Sequence, residues 1–438
     1  MSTPVSPARR RTILAALRRG TVPDSGLDLL AVGLERLEPT VDIELAACRG
    51  GAASFTAVRG EYGSGKTFVS RWLGERAKAS GMAFAEVQIS ETETPLHRLE
   101  TVYRRLCERL GTASDTPSAF RPVLDSWLYA LEEDVLADGT VPADDPDELG
   151  RAVDALLERR LAQVGRTAPG YAAGLRGYRR ALAEGEIETA DGVAAWLAGQ
   201  PHVAASAKRA AGVRGDIDHF LALGFLQGLL TVLRDAGHPG LVLVLDEVET
   251  LQRVRSDARS KALNALRQLL DEVDGGRFPG LYLVITGTPA FYDGRQGIAL
   301  LPPLAQRLHT DFSTDPRFDN PRAPQVRLLG FDLERLVDVG GRVRDLFADG
   351  ATDPDRIRRV VDDDYLRVLG GAVAGGLGGK VGVAPRVFLR KLVGDVLDRV
   401  EQFADFDPRR DYALTITDGE LTGSEREAAS PDDIDLEV

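Results

Sequence analysis

Several things are scarce in this chain, and each scarcity excludes something. Two cysteines, Cys48 and Cys107, are too few for a disulfide framework and show no metal-binding spacing. Five histidines leave little material for a metal centre, and His97 has no second ligand at ligand spacing. Strictly apolar runs are short, such as Leu241 to Leu245, far below the 18 or more residues of a membrane span. The arginine-bearing start, Met1 to Arg11, is not followed by the apolar segment of a signal peptide. These absences point to a reduced, cytoplasmic setting with no membrane partner. Lysine is scarce too, supplying six of the 54 basic residues, while arginine and alanine are abundant. That usage matches a GC-rich bacterial genome.

What is present suffices for a large core. A chain of 438 residues, 43% hydrophobic, suggests two or three domains. The formal net charge is −13, and much of it is local: Asp405 to Val438 holds eleven acids against Arg409, Arg410 and Arg426. The remainder is only mildly acidic. This balance argues against a protein that coats nucleic acid nonspecifically and leaves room for a local basic site.

The most informative stretch is Gly60-Glu61-Tyr62-Gly63-Ser64-Gly65-Lys66-Thr67, the pattern GxxxxGK[ST]. Phe55 to Arg59 before it reads as a strand. Phe68 to Ala79 after it reads as a helix, with Phe68, Trp72 and Leu73 on one face. The motif requires that setting: glycines let successive N–H groups turn inward onto phosphate oxygens, and the helix N-terminus adds partial positive charge. Lys66 is expected to reach the β- and γ-phosphates, and Thr67 to ligate Mg²⁺. Gly60 to Phe68 are thus candidate nucleotide contacts. Upstream, Leu29 to Leu37 has helical periodicity that Pro39 interrupts, and Val22, Pro23 and Val32 are apolar enough to close over an adenine ring.

Leu241-Val242-Leu243-Val244-Leu245 is apolar on both faces, as in the centre of a parallel sheet. It ends in Asp246 and Glu247 at the edge where such sheets bind ligands. Asp246 is expected to hold Mg²⁺ through water and Glu247 to activate the attacking water. Gly280 to Ile285 reads as a further strand, ending in Thr286-Gly287-Thr288, where a hydroxyl can sense the γ-phosphate. Gln325 to Leu329 reads as a fifth strand. Helices are expected over 333–347, 353–369 and 385–403, with a glycine-rich joint over 370–379.

Between the second strand, Ala83 to Ile89, and the acid-tipped strand, the α/β rhythm stops. From about Gly111 to Gly215 the pattern is helical, with Trp127 and Trp196 as packing anchors. Arg151 to Arg180 is basic, and Tyr171 and Tyr178 interleave its last part. This stretch reads either as a nucleic-acid surface of phosphate contacts and stacking, or as a solvated basic face opposite the acidic Asp125 to Glu148. The basic amphipathic helix within residues 5–20 has the same two readings.

The ordered series resembles AAA+ ATPases of the origin-recognition type. Gly33-Leu34-Glu35 resembles the adenine box, Leu304 to Leu308 the arginine-finger segment, and Pro385-Arg386 sensor 2. The resemblance implies that Arg386 contacts the γ-phosphate in cis, that Arg307 completes a neighbour's site, and that Thr288 is sensor 1 with Thr286 as runner-up. Residues after the lid are too few for the winged helix usual in that group. Nearly the whole chain also resembles the ATP-binding protein of BREX phage-defence systems, the BrxD-like group. The similarity lies in Leu17 to Pro23, Arg59 to Thr67, Gln88-Ile89-Ser90, Pro95 to Glu100 and Asp246 to Thr250. It implies a bacterial ATPase using ATP and Mg²⁺ beside other BREX proteins, with duplex DNA and an ATP-dependent homo-oligomer as further expected partners.

The expected fold is therefore α/β: a P-loop NTPase (AAA+) parallel-sheet core with a helical insertion and a C-terminal helical lid. Residues 1–45 form an N-terminal helix and adenine-side linker, 46–112 and 216–330 the core, and 113–215 the insertion. Residues 331–403 form the lid and 404–438 a loosely ordered acidic tail. The functional alternative is a nucleotide-dependent switch that binds only protein partners.

Overall fold

The computed structural model describes residues 5–139, 141–142, 145–376 and 384–416. A five-stranded sheet has the order β2-β3-β4-β1-β5, with β1 Ser54–Arg59, β2 Ala83–Gln88, β3 Leu241–Asp246, β4 Leu281–Gly287 and β5 Gln325–Arg327. The chain divides into two compact units. The first comprises residues 1–40, 58–75 and 311–438; the second comprises 41–57 and 76–310. Gly60–Thr67 falls in the first and Asp246–Glu247 in the second.

In the second unit, β2 pairs parallel with β3 and β3 with β4. Every residue of β3 and β4 is buried, as strands apolar on both faces require. The register sets Gln88 directly beside Asp246. Gly240 and Gly280 let the chains meet where β3 and β4 begin; a Cβ on Gly240 would stand 2.3 Å from the Gly280 carbonyl oxygen. Helices α4 Leu99–Arg109, α10 His219–Asp235 and α11 Ser256–Asp274 belong to this unit.

Residues 113–215 contain α5 Phe120–Ala137, α6 Pro146–Thr167, α7 Pro169–Ala183, α8 Ile187–Leu197 and α9 Ala205–Ala210. Trp127 and Trp196 are buried among them, donating to the Asp235 carboxylate (2.6 Å) and the Gly215 carbonyl (2.9 Å). Tyr171 and Tyr178 are fully buried. Tyr171 and Trp196 both meet Phe225 edge-on. These rings are core, and neither tyrosine is offered for stacking on a base.

The first unit has its own core. Helix α1 Pro7–Arg18 buries Ile13, Leu14, Ala16 and Leu17. It packs on α14 Leu333–Ala348, α17 Ala384–Arg390 and Lys391–Leu397, in a core that α15 Pro354–Val360 and α16 Asp363–Gly376 share. Two of its arginines make ion pairs, Arg9 with Glu75 (2.9 Å) and Arg18 with Asp398 (2.6 Å). The amphipathic N-terminal helix is thus an integral part of this unit's core.

Four local expectations change. Helical periodicity over Leu29 to Leu37 yields only a 3-10 turn at Leu27–Leu29; the helix proper, α2, runs Leu37–Arg49. Pro39 lies in its first turn, where a missing N–H costs nothing. The stretch 353–369 is two helices, because the Asp362 carboxylate caps a new one by accepting the Tyr365 N–H (2.8 Å). The stretch 385–403 changes pitch: Lys391–Leu397 is a π-helical segment between α17 and α18 Asp398–Gln402. Residues 404–416 are not loose, since Phe406, Tyr412, Leu414 and Ile416 pack on the lid core and Tyr412 bonds Asp395 (3.1 Å). Of the glycine-rich joint, 370–376 continue α16, while 377–379 lie outside the described residues, as do 417–438 of the acidic tail.

Candidate nucleotide-binding site

In the first unit, β1 leads through Gly60–Gly65 into α3 Lys66–Ala79. Gly63 (φ 78°) and Gly65 (φ 95°) adopt backbone conformations that L side chains resist. The Lys66 ammonium is buried and donates to the Gly60 carbonyl (2.8 Å) and the Glu61 carbonyl (3.3 Å). The Tyr62 ring centroid lies 5.1 Å from it. The Ser64 hydroxyl is buried without a hydrogen-bond partner among the described residues. The Thr67 side chain is exposed. A curled loop of backbone N–H groups, one ammonium and an uncommitted hydroxyl is a donor set suited to a polyphosphate.

Three polar side chains of α3 reach the N-terminal segment. Arg71 donates to the Val22 carbonyl (2.7 Å), and Trp72 donates to Asp28 (3.0 Å). Glu75 accepts from the Gly26 and Leu27 N–H groups (2.6 and 2.7 Å). Val22 is half-buried, Val32 is buried in the lid core, and Phe68 packs against that core. Gly33 has φ 78°, and a Cβ there would stand 3.2 Å from Arg335 Nε. Arg386, on α17, lies beside Gly20; a Cβ on Gly20 would be 3.3 Å from its Nη1. Val22, Val32, Gly33, Phe68 and Arg386 thus lie in the same unit as Gly60–Thr67.

In the second unit, Asp246 is buried at the end of β3 and Glu247 follows in a left-handed conformation, φ 58° and ψ 44°. A non-glycine residue held there is strained and needs support from its surroundings. Two neighbouring strands supply it. Gln88, ending β2, donates its amide to the Glu247 carboxylate (2.8 Å). Thr286, near the end of β4, accepts the Glu247 N–H (3.2 Å) and donates its hydroxyl to Asp246. One hydroxyl thus uses a donor and an acceptor site to fix both acids. Gln88 was not legible as a functional residue in the sequence; its signal was the in-register pairing with Asp246, which needs the sheet.

Thr286, the runner-up for the sensing hydroxyl, is the one that touches the acids. Thr288 is buried and begins α12 Pro289–Asp293 without making a side-chain cap. Arg307 lies on α13 Pro302–Leu308 and binds its own chain: its guanidinium pairs with Asp271 and Asp274 and donates to the Leu270 carbonyl (2.7 Å). Thr67 and Asp246 carry the hard oxygen donors that Mg²⁺ prefers.

No helix among the described residues is long and apolar enough to cross a membrane. No curated protein matches the chain. A family model, BREX system ATP-binding protein BrxC/D, matches residues 5–416, and the chain belongs to that family.

Proposed function

We propose that this protein binds ATP with Mg²⁺, hydrolyses it, and acts with DNA beside other BREX proteins in the bacterial cytoplasm. The observation that carries the reading is the loop Gly60–Thr67, with left-handed glycines, a buried lysine and an unsatisfied Ser64 hydroxyl. In this reading Lys66 exchanges the Gly60 and Glu61 carbonyls for phosphate oxygens, and Val22, Val32 and Gly33 border the base. Thr67 and Asp246 hold Mg²⁺, which supplies charge neutralisation on the phosphates. Glu247 orients the attacking water and accepts its proton, with its carboxylate aimed by Gln88. Thr288 senses the terminal phosphate, with Thr286, whose one donor is held by Asp246, as the runner-up, and Arg386 contacts it in cis. Arg307 acts in trans in a homo-oligomer, where leaving Asp271 and Asp274 makes hydrolysis depend on assembly.

A second reading, a nucleotide switch that binds only partner proteins, gains support from α7. Its tyrosines are buried, Arg176 pairs with Glu158 (2.5 Å), and Arg180 donates to the Ala210 carbonyl. Steady-state ATP hydrolysis with and without duplex DNA separates the two, with Glu247→Gln as blank. Stimulation by DNA supports the first reading. A DNA-indifferent rate above the blank supports the second, and a wild-type rate equal to the blank removes the catalytic assignment.

A further inference from the structure

The second unit contains a cleft of about 480 Å³, lined by the start of α10, the exposed face of α11 and His97. Of its residues only Asp271, the partner of Arg307, entered the description above. Among its lining residues, His97, His219, Lys261, Asn264 and Arg267 bring polar or cationic groups and Phe220 an aromatic face.

The charges in and beside the cleft are unevenly satisfied. Asp271, its one acid, is engaged by Arg307 and by Arg267 at 3.6 Å. Lys261 is exposed and has no ion pair or hydrogen bond among the described residues, and the same holds for the Arg98 side chain next to His97. Burial and then the two cations Arg98 and Lys261 lower the His97 pKa, against the opposing pull of Glu100 and Asp257. The cations are therefore close enough to be felt at the cleft wall. His219 accepts the Leu99 N–H at Nδ1 (3.4 Å), which in the neutral ring leaves the proton on Nε2 as a donor.

Phe220 supplies the second observation. It is 85% exposed, the most exposed large apolar side chain among the described residues. It is also held in place: the Asp218 carboxylate caps α10 by accepting the Phe220 and Leu221 N–H groups (3.0 and 2.9 Å). The His219 ring meets it edge-on, centroids 5.6 Å apart. The core of α10 is built from other residues, including Leu223, Phe225 and Leu226, so burial does not explain this phenylalanine.

We propose that this cleft binds single-stranded nucleic acid, with a backbone phosphate on Lys261 and an unstacked base on the Phe220 ring. Cations that follow a backbone, combined with an aromatic platform, are the physical requirements for holding an unpaired strand without sequence preference. In a duplex the base faces are covered by their neighbours, so Phe220 gains nothing from it. Lysine is depleted from the cores of protein interfaces, so a lining Lys261 unpaired among the described residues favours a phosphate over a protein surface. The inference rests on the reading that the chain acts with DNA, and names the form of the DNA and where it binds.

The test is fluorescence anisotropy of a labelled oligo-dT strand, and of a duplex of equal length, with the full chain in EDTA and no nucleotide. The expected result is salt-sensitive binding of the strand in preference to the duplex, weakened about tenfold by Phe220→Ala and about tenfold by Lys261→Glu. Both positions are exposed, and circular dichroism checks the fold of each variant. Photocrosslinking of a 5-iodouracil oligonucleotide to the unmutated chain provides a readout independent of variants, with Phe220 as the expected site. Equal affinity for duplex, unchanged affinity in both variants, or crosslinks confined to other segments overturns the proposal. Loss of self-association in Phe220→Ala without oligonucleotide binding also overturns it, marking the face as a contact between copies. Hydrolysis stimulated by duplex DNA, with no strand binding, overturns this inference and leaves the proposed function standing. Strand binding at the cleft with DNA-indifferent hydrolysis upholds this inference and removes DNA from the hydrolytic cycle.

Discussion

The phosphate loop and the acid corner solve the same kind of problem in opposite ways. The loop builds its surface from backbone, through consecutive residues whose glycines permit the curl. The acid corner builds its surface from side chains, using Gln88, Asp246, Glu247 and Thr286 from three strands. The loop therefore carries its chemistry within eight residues. The corner depends on a register that pairs residue 88 with residue 246. Where backbone does the work, sequence alone reveals it; where side chains from separate strands do it, the sheet must form first.

The largest effect expected from breaking the comparison is at the corner. Glu247→Gln keeps the size and the left-handed backbone but removes the base, so kcat falls about 10²–10⁴-fold with ATP affinity retained, read by steady-state hydrolysis and equilibrium nucleotide binding. At the loop, Gly65→Ala places a side chain at φ 95°. It loses nucleotide binding and about 1–2 kcal/mol of stability, measurable by titration and chemical unfolding.

Thr286→Val removes one donor and one acceptor between Asp246 and the Glu247 backbone. It lowers kcat about tenfold and costs about 1–3 kcal/mol, whereas Thr288→Val costs less in both. Equal effects at the two positions would remove the acid-holding role from Thr286. Gln88→Leu frees the Glu247 carboxylate and lowers kcat several-fold, up to about tenfold, leaving the KM for ATP unchanged. A change in KM alone would make Gln88 a binding residue rather than a positioning one.

The smallest effect is a reactivity readout for one unit. Cys48 and Cys107 both lie in the second unit and are buried. Burial pushes the Cys48 thiol up to about 12 and raises Cys107 as well. Iodoacetamide at pH 8 should leave both unlabelled in the native protein and label both in urea. Labelling in native buffer would show that this unit opens.

The first unit shows the same division between local and distant causes. The apolar spacing of α14 is plain in the sequence, and the helix spans Leu333–Ala348. That α1 completes the same core is not, because Ile13 and Leu17 meet α14 and α17 across more than 300 residues of chain. The basic face of α1 had two readings, nucleic acid or solvent, and two of its arginines, Arg9 and Arg18, have partners at Glu75 and Asp398. Arginine-rich α7 is similar, since its tyrosines face the core and Arg176 faces Glu158. Charge pattern gives a residue's sign but not the neighbour that answers it.

The sequence by itself determined what short-range rules can specify: the strand–loop–helix around Lys66, the doubly buried strand ending in Asp246, the helical stretch 113–215 and the apolar faces of the lid helices. Those features follow from glycine conformations, period-2 and period-3.6 burial, and capping, all of which act within a few residues. Tertiary structure alone decided that Gln88 and Thr286 hold the acids, that Arg307 rests on Asp271 and Asp274, and that Phe220 stands exposed beside Lys261. Each of these depends on which distant side chain arrives at the same place, and hydrogen bonds and ion pairs act only at contact distance. Spacing along the chain does not carry that information.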